Sequence, residues 1–128
     1  MSETPLHFKT ITELAALIES KALSPVEVTE AMLTRIQVQD PQYKSCATVM
    51  SEQASASAKA AERAIAAGNY LGSHHGVPIA VKDLCFTKGV TTMGATKALR
   101  GPVPDFDCTV VQKLNAAGHR SPATAAAG

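Results

Sequence analysis

Val77-Pro78-Ile79-Ala80-Val81-Lys82-Asp83-Leu84 is the stretch whose reading decides the fold. It is a near-continuous apolar run with one charge pair at its end. A strand with one wet face alternates apolar and polar residues. A strand apolar at successive positions fits a sheet covered on both faces, so the run predicts an α/β fold. Downstream, Lys88 to Thr96 is rich in Gly and Thr and reads as a loop. Gly101-Pro102-Val103-Pro104-Asp105 marks a turn. Asp107 is then expected to cap a last helix, with Val110, Val111, Leu114 and Ala117 on one stripe and Gly118 as its stop.

Upstream of the decisive run the pattern is helical. Thr10 and Glu13 form a capping box. Ile11, Leu14, Ala15, Ile18 and Ala22 recur behind it at helical spacing. Ser24-Pro25 restarts the chain with a good N-cap and a proline suited to the first helical position, and Glu27 completes a second box. Val28, Met32 and Ile36 share one face. Asp40-Pro41 is expected to end that helix, because a residue before proline avoids the helical region. Cys46 to Met50 reads as a short strand. Ser51 to Ala67 is a strong helix former closed by Gly68-Asn69, with an inward stripe of Ala54, Ala58, Ala61 and Ile65.

Composition narrows the classes. The 128 residues suit one domain. The chain is 45% hydrophobic, but 22 residues are alanine, so the core is thin and the chain is expected to be part of something larger. Twelve basic and eleven acidic residues leave a net charge of +1, and no Lys/Arg run supports a nucleic-acid or acidic-membrane patch. No apolar segment is long enough to span a membrane. Met1-Ser2-Glu3-Thr4-Pro5 lacks the basic head and apolar stretch of a secretory signal. The three scattered cysteines Cys46, Cys85 and Cys108 fit neither a disulfide framework nor a zinc motif, which makes a cytoplasmic location the default.

Lys82 is the residue with chemical promise. Inside a covered strand the charged form of a lysine is disfavoured, and a neutral amine serves as a base or nucleophile. Asp83 need not oppose this, since strand neighbours point to opposite faces. The plainer alternative is that Lys82 and Asp83 end the strand in water. Spacing alone favours it, because buried lysine is rare.

Gly76-Val77-Pro78-Ile79-Ala80-Val81-Lys82-Asp83 resembles the lysine segment of the amidase signature family. His75 before it, Thr91-Thr92-Met93-Gly94-Ala95, and the stretch Pro104-Asp105-Phe106-Asp107-Cys108-Thr109-Val110-Val111 with Leu114 to Gly118 also match that family's pattern. So does the upstream order of helix, Leu-Ser-Pro-Val-Glu restart, helix, strand and Ala-rich helix. The resemblance covers roughly residues 6–118.

It implies an α/β fold with a mixed sheet covered by helices, residues 1–118 being the N-terminal part of an amidase domain. It implies hydrolysis or transfer of amides by a Ser-cisSer-Lys triad acting on a small-molecule amide, with no metal or organic cofactor. Lys82 would be the catalytic lysine, taking a proton through a bridging serine and later helping to protonate the leaving amine. A free-standing amidase and a component of an amidotransferase that acts on aminoacyl-tRNA share this segment.

The sequence also departs from the family. The Gly-Gly-Ser-Ser-Gly-Gly-Ser type loop that carries the bridging serine is missing, and Ser121 lies between Arg120 and Pro122 with no glycine loop to expose it. The chain alone is therefore expected to be inactive. Residues 119–128 hold no apolar residue larger than Ala and read as a low-complexity tail, out of frame or disordered, with no buried strand after the helix. A frameshift or premature stop is the expected origin. The competing reading is a non-catalytic binding or decoy module. The remaining candidates are weaker. His74-His75 has no carboxylate or cysteine at ligand spacing, so the pair is solvated or one ring packs under the Gly76-Val77-Pro78 turn. Cys85 reads as a small buried hydrophobe. Lys88 and Lys97 read as surface cations.

Overall fold

The computed structural model describes the backbone of residues 3–125 and the side chains of residues 3–119. Besides two short 3-10 helices (Leu6–Phe8 and Lys97–Leu99), four α-helices and three strands follow in order among the described residues: α1 (Ile11–Glu19), α2 (Pro25–Tyr43), β1 (Cys46–Val49), α3 (Ser51–Ala66), β2 (Pro78–Lys82), α4 (Thr109–Ala116) and β3 (Arg120–Ala125). The strands form one mixed sheet in the order β1-β3-β2, with β3 antiparallel to β1 and parallel to β2. The α/β class expected from the sequence is therefore present.

The helix starts form as their capping residues dictate. Thr10 Oγ1 accepts the Glu13 N–H at 3.2 Å, and the Glu13 carboxylate accepts the Thr10 N–H at 2.6 Å. Ser24 and Glu27 repeat the arrangement at α2. The Ser24 hydroxyl also donates to Glu62 Oε1 at 2.5 Å, which ties the start of α2 to α3. Ala54, Ala58, Ala61 and Ile65 are all buried. The three alanines let α2 lie close against α3, but most of the buried apolar area lies in a core of larger side chains. Leu14, Ile18, Val28, Ile65 and Val77 make that core, with Leu6, Leu23, Met32 and Tyr70 packed at its edge.

Three local expectations are corrected. α2 does not stop at Asp40-Pro41 but continues through Pro41 to Tyr43. The cost of a pre-proline helical residue is offset at Asp40, whose Oδ1 accepts the N–H groups of Ser45 at 2.7 Å and Cys46 at 2.9 Å. Lys44 then closes the helix in the left-handed region. At α4 the N-cap position is Cys108, not Asp107. The Asp107 carboxylate instead accepts the Lys88 N–H at 2.8 Å and the Asn115 amide at 3.3 Å, bracing the loop against the helix. Of the expected α4 stripe, only Val111 is buried and Val110 is 54% exposed.

The third correction concerns the chain after Gly118. The sequence offers no strand there, yet β3 occupies the middle of the sheet. A strand between two neighbours is held by main-chain hydrogen bonds on both edges, so it forms without large apolar side chains. The parallel ladder pairs Ala80 with Ala123, Val81 with Thr124 and Lys82 with Ala125. It shifts register between Pro78 and Ala80, opposite the stretch holding Pro122, whose nitrogen has no hydrogen to donate.

The corner between α4 and β3 is tight. Gly118 has φ +92°, and a Cβ there would stand 2.7 Å from His75 Cδ2 and 2.9 Å from His75 Cα. The Gly118 carbonyl accepts the Gly76 N–H at 3.1 Å. His119, 2% exposed, places Nδ1 2.7 Å from the Val77 carbonyl and Nε2 2.6 Å from His74 Nδ1. A carbonyl only accepts, so Nδ1–H of His119 donates to it. The Nε2 lone pair of the neutral ring then accepts from His74.

Two outcomes follow from this corner. Gly118→Ala is expected to cost about 1–3 kcal/mol in urea unfolding, from backbone strain and the His75 contact together. Gly89→Ala, with φ +77° but open space around it, should cost less. Burial holds the His119 and His75 rings below the ordinary histidine range, and at His119 this outweighs the opposing pull of the Val77 carbonyl. As pH falls below about 6.5 the unfolded chain takes up those protons first. Their stabilisation is present above that pH and is lost as pH falls through the lowered folded values. Thermal midpoints should decline from pH 7 to pH 5, and a flat profile would contradict the assignment.

Candidate active site

Lys82 is the last residue of β2. Val81 before it is 7% exposed and Asp83 after it is 4% exposed, while Lys82 itself is exposed. The covering on both faces expected from the apolar run is thus not complete: Ala80 and Lys82, which share a face by the strand period, both meet solvent. Of the plainer reading, in which Lys82 and Asp83 both end the strand in water, the part that concerns Lys82 holds and the part that concerns Asp83 does not.

The turn beyond β2 is closed by the Cys85 N–H donating to the Lys82 carbonyl at 3.0 Å. Asp83 is the anchor of the site. Its carbonyl accepts the Gly94 N–H at 2.7 Å, and its Oδ1 stands 3.4 Å from the Met93 nitrogen. A buried carboxylate left without donors would be costly, so these backbone groups fix the loop onto the end of the strand. Thr92, 3% exposed, donates its hydroxyl to the Val90 carbonyl at 3.3 Å. The Thr91-Thr92-Met93-Gly94-Ala95 loop is thereby brought beside the lysine turn. The sequence presents Asp83 only as a neighbour of Lys82. Its burial, and its partners ten and eleven residues later, cannot be read from local pattern.

Two clefts flank the sheet. One of about 310 Å³ lies among Met50, Val81, Lys88, Asp107, Val111 and His119. The other, about 300 Å³, is lined by Met32, Ile36, Tyr43, Pro78, Ile79 and Ala80. Lys82 lines neither. His75 is 5% exposed and its Nδ1 accepts the Leu71 N–H at 3.1 Å, so of the two histidine readings the packed ring applies to His75. Cys85 is half-buried. Among the described residues, no three His, Cys, Asp or Glu side chains are placed to hold a metal ion, and no helix is long and apolar enough to cross a membrane.

The comparisons with known proteins converge. The Mycobacterium tuberculosis protein AmiD (strain H37Rv) is 51% identical over 108 residues, covering 84% of this chain and 23% of the relative. One component of the glutamyl-tRNA(Gln) amidotransferase of Geobacter metallireducens is 47% identical over 109 residues, covering 85% and 22%. The chain thus spans about a quarter of the length of these relatives. The peptide amidase of Stenotrophomonas maltophilia superposes with a TM-score of 0.87 at 26% identity, over 94% of this chain and 25% of the enzyme. The Amidase family pattern itself matches residues 27–121, which include α3, the lysine strand, the Asp83-anchored loop and α4. On that match, over most of its length, the chain belongs to the amidase family.

Proposed function

We propose that this chain is the lysine-bearing N-terminal part, residues 1–118, of an enzyme that cleaves carbon–nitrogen bonds of amides, and that Lys82 is its general base. The observation that carries the reading is the position of Lys82. It stands exposed at the end of β2, on a turn that the buried Asp83 locks to the Thr-Thr loop. A base must hold a fixed position relative to the proton it takes, and a strand end braced by a buried carboxylate provides that. In the Ser-cisSer-Lys scheme, Lys82 Nζ accepts the proton of the nucleophilic serine through the bridging serine, then returns it to the leaving amine. The substrate is a small-molecule amide or the side-chain amide chemistry of an amidotransferase, and both relatives' names fall in that range.

The 128 residues contain no Gly-Gly-Ser-Ser type loop, so a base is present without a nucleophile and no acyl intermediate forms. The purified chain is expected to show no amide turnover above the uncatalysed rate. Turnover that disappears in Lys82→Ala would refute this. In a chimaera where residues 1–118 replace the matching segment of an active amidase, Lys82→Ala should lower kcat by about 10²–10⁴-fold. An undiminished kcat in that chimaera would remove Lys82 from the chemistry.

A further inference from the structure

Two of the three cysteines, far apart in sequence, meet in space. Cys85 follows the turn after β2, and Cys108 immediately precedes α4. Their segments run side by side. The Cys108 N–H donates to the Phe86 carbonyl at 2.8 Å, the Lys88 N–H to Asp107 Oδ1 at 2.8 Å, and the Gly89 N–H to the Pro104 carbonyl at 2.9 Å. The rings of Phe86 and Phe106 meet edge to face with centroids 5.6 Å apart. This seating, with Cys108 bonded to the residue next to Cys85, brings the two cysteines side by side, near enough for the Cys108 thiol to act on the Cys85 thiol. Both residues are half-buried, so a small reagent can reach them. Cys46 lies elsewhere, at the start of β1 beside Asp40.

We propose that Cys85 and Cys108 form a dithiol modification site that a small-molecule disulfide, such as oxidised glutathione, converts to an internal disulfide. One cysteine thiolate attacks a sulfur of the reagent, and the first glutathione leaves as its thiolate. The second cysteine thiolate attacks the protein sulfur of that mixed disulfide and expels the second glutathione. The two protein protons end on the two glutathione thiols, the protein dithiol is oxidised, and the reagent is reduced. Because the paired segments hold Cys85 and Cys108 side by side, the second step is intramolecular and fast relative to release of the mixed disulfide. The bond ties the turn beneath Lys82 to the base of α4 and closes the segment 85–108 into a ring. Burial, with the neighbouring Cys108 thiol, pushes the Cys85 thiol above the ordinary range, so the link forms faster as pH rises above neutral.

The test is incubation of the intact 128-residue chain with oxidised glutathione, followed by thiol titration and a non-reduced tryptic map. Free thiols should fall from the three cysteines to one, Cys46. The map should show peptide Asp83–Lys88 joined to Gly101–Lys113. Cys46→Ser should form the same link, while Cys85→Ser and Cys108→Ser should not. Glutathione retained on both Cys85 and Cys108, or a link that includes Cys46, would overturn the proposal. The wild-type map decides the matter even where a serine variant fails to fold.

Discussion

The parallel pairing of β2 with β3 is the constraint on which the rest of the structure depends. Parallel neighbours cannot be joined by a short hairpin, so the chain between Lys82 and Arg120 must leave the sheet and return to the end where β2 began. The lysine turn, the Thr-Thr loop, the Pro-rich stretch and α4 are that crossover. Its return point is Gly118, where the absence of a Cβ lets His75 press against the backbone. His119 then enters between Val77 and His74 and fixes where β3 starts.

This geometry divides the labour of the Lys82-Asp83 pair. The lysine ends a strand with its side chain exposed, and the aspartate turns inward and becomes a scaffold for the loop. Asp107 performs a similar bracing role from the other side, holding Lys88 and Asn115. The loops around the lysine are thus held by carboxylates meeting backbone and amide donors rather than by a deep apolar core. The burial of Val81, Val90 and Val111 supplies the apolar floor beneath them.

Much of this is legible in the sequence because it is local. The boxes at Thr10 and Ser24 set two helix starts, and the Ala54, Ala58, Ala61, Ile65 stripe matches the buried face of α3. The Lys82 segment carries the family. What is not legible depends on partners distant in sequence. β3 owes its strand conformation to two neighbours, and its own Arg, Ser, Pro, Ala and Thr residues carry no apolar signature. Asp107 reads as a cap because helix caps are acidic or hydroxylic, but a donor nineteen residues earlier claims its carboxylate. Pro41 reads as a helix end because the acceptor role of Asp40 is visible only once the chain turns back into β1. The exposure of Lys82 belongs to the same class: continuous apolarity reports how the two faces of a strand are covered by other layers, and the described residues leave the face that holds Ala80 and Lys82 open to solvent.

The crossover depends on β3 being the central strand, and amide hydrogen exchange read residue by residue tests that order most directly. A strand with neighbours on both edges has its amides hydrogen-bonded on alternate sides, so Ala123, Thr124 and Ala125 should all exchange slowly, on the scale of those amides of the edge strand β2 that point towards β3. Exchange of those three amides at the rate of an unstructured peptide, with β2 still protected, would contradict the sheet order and with it the crossover that positions Lys82.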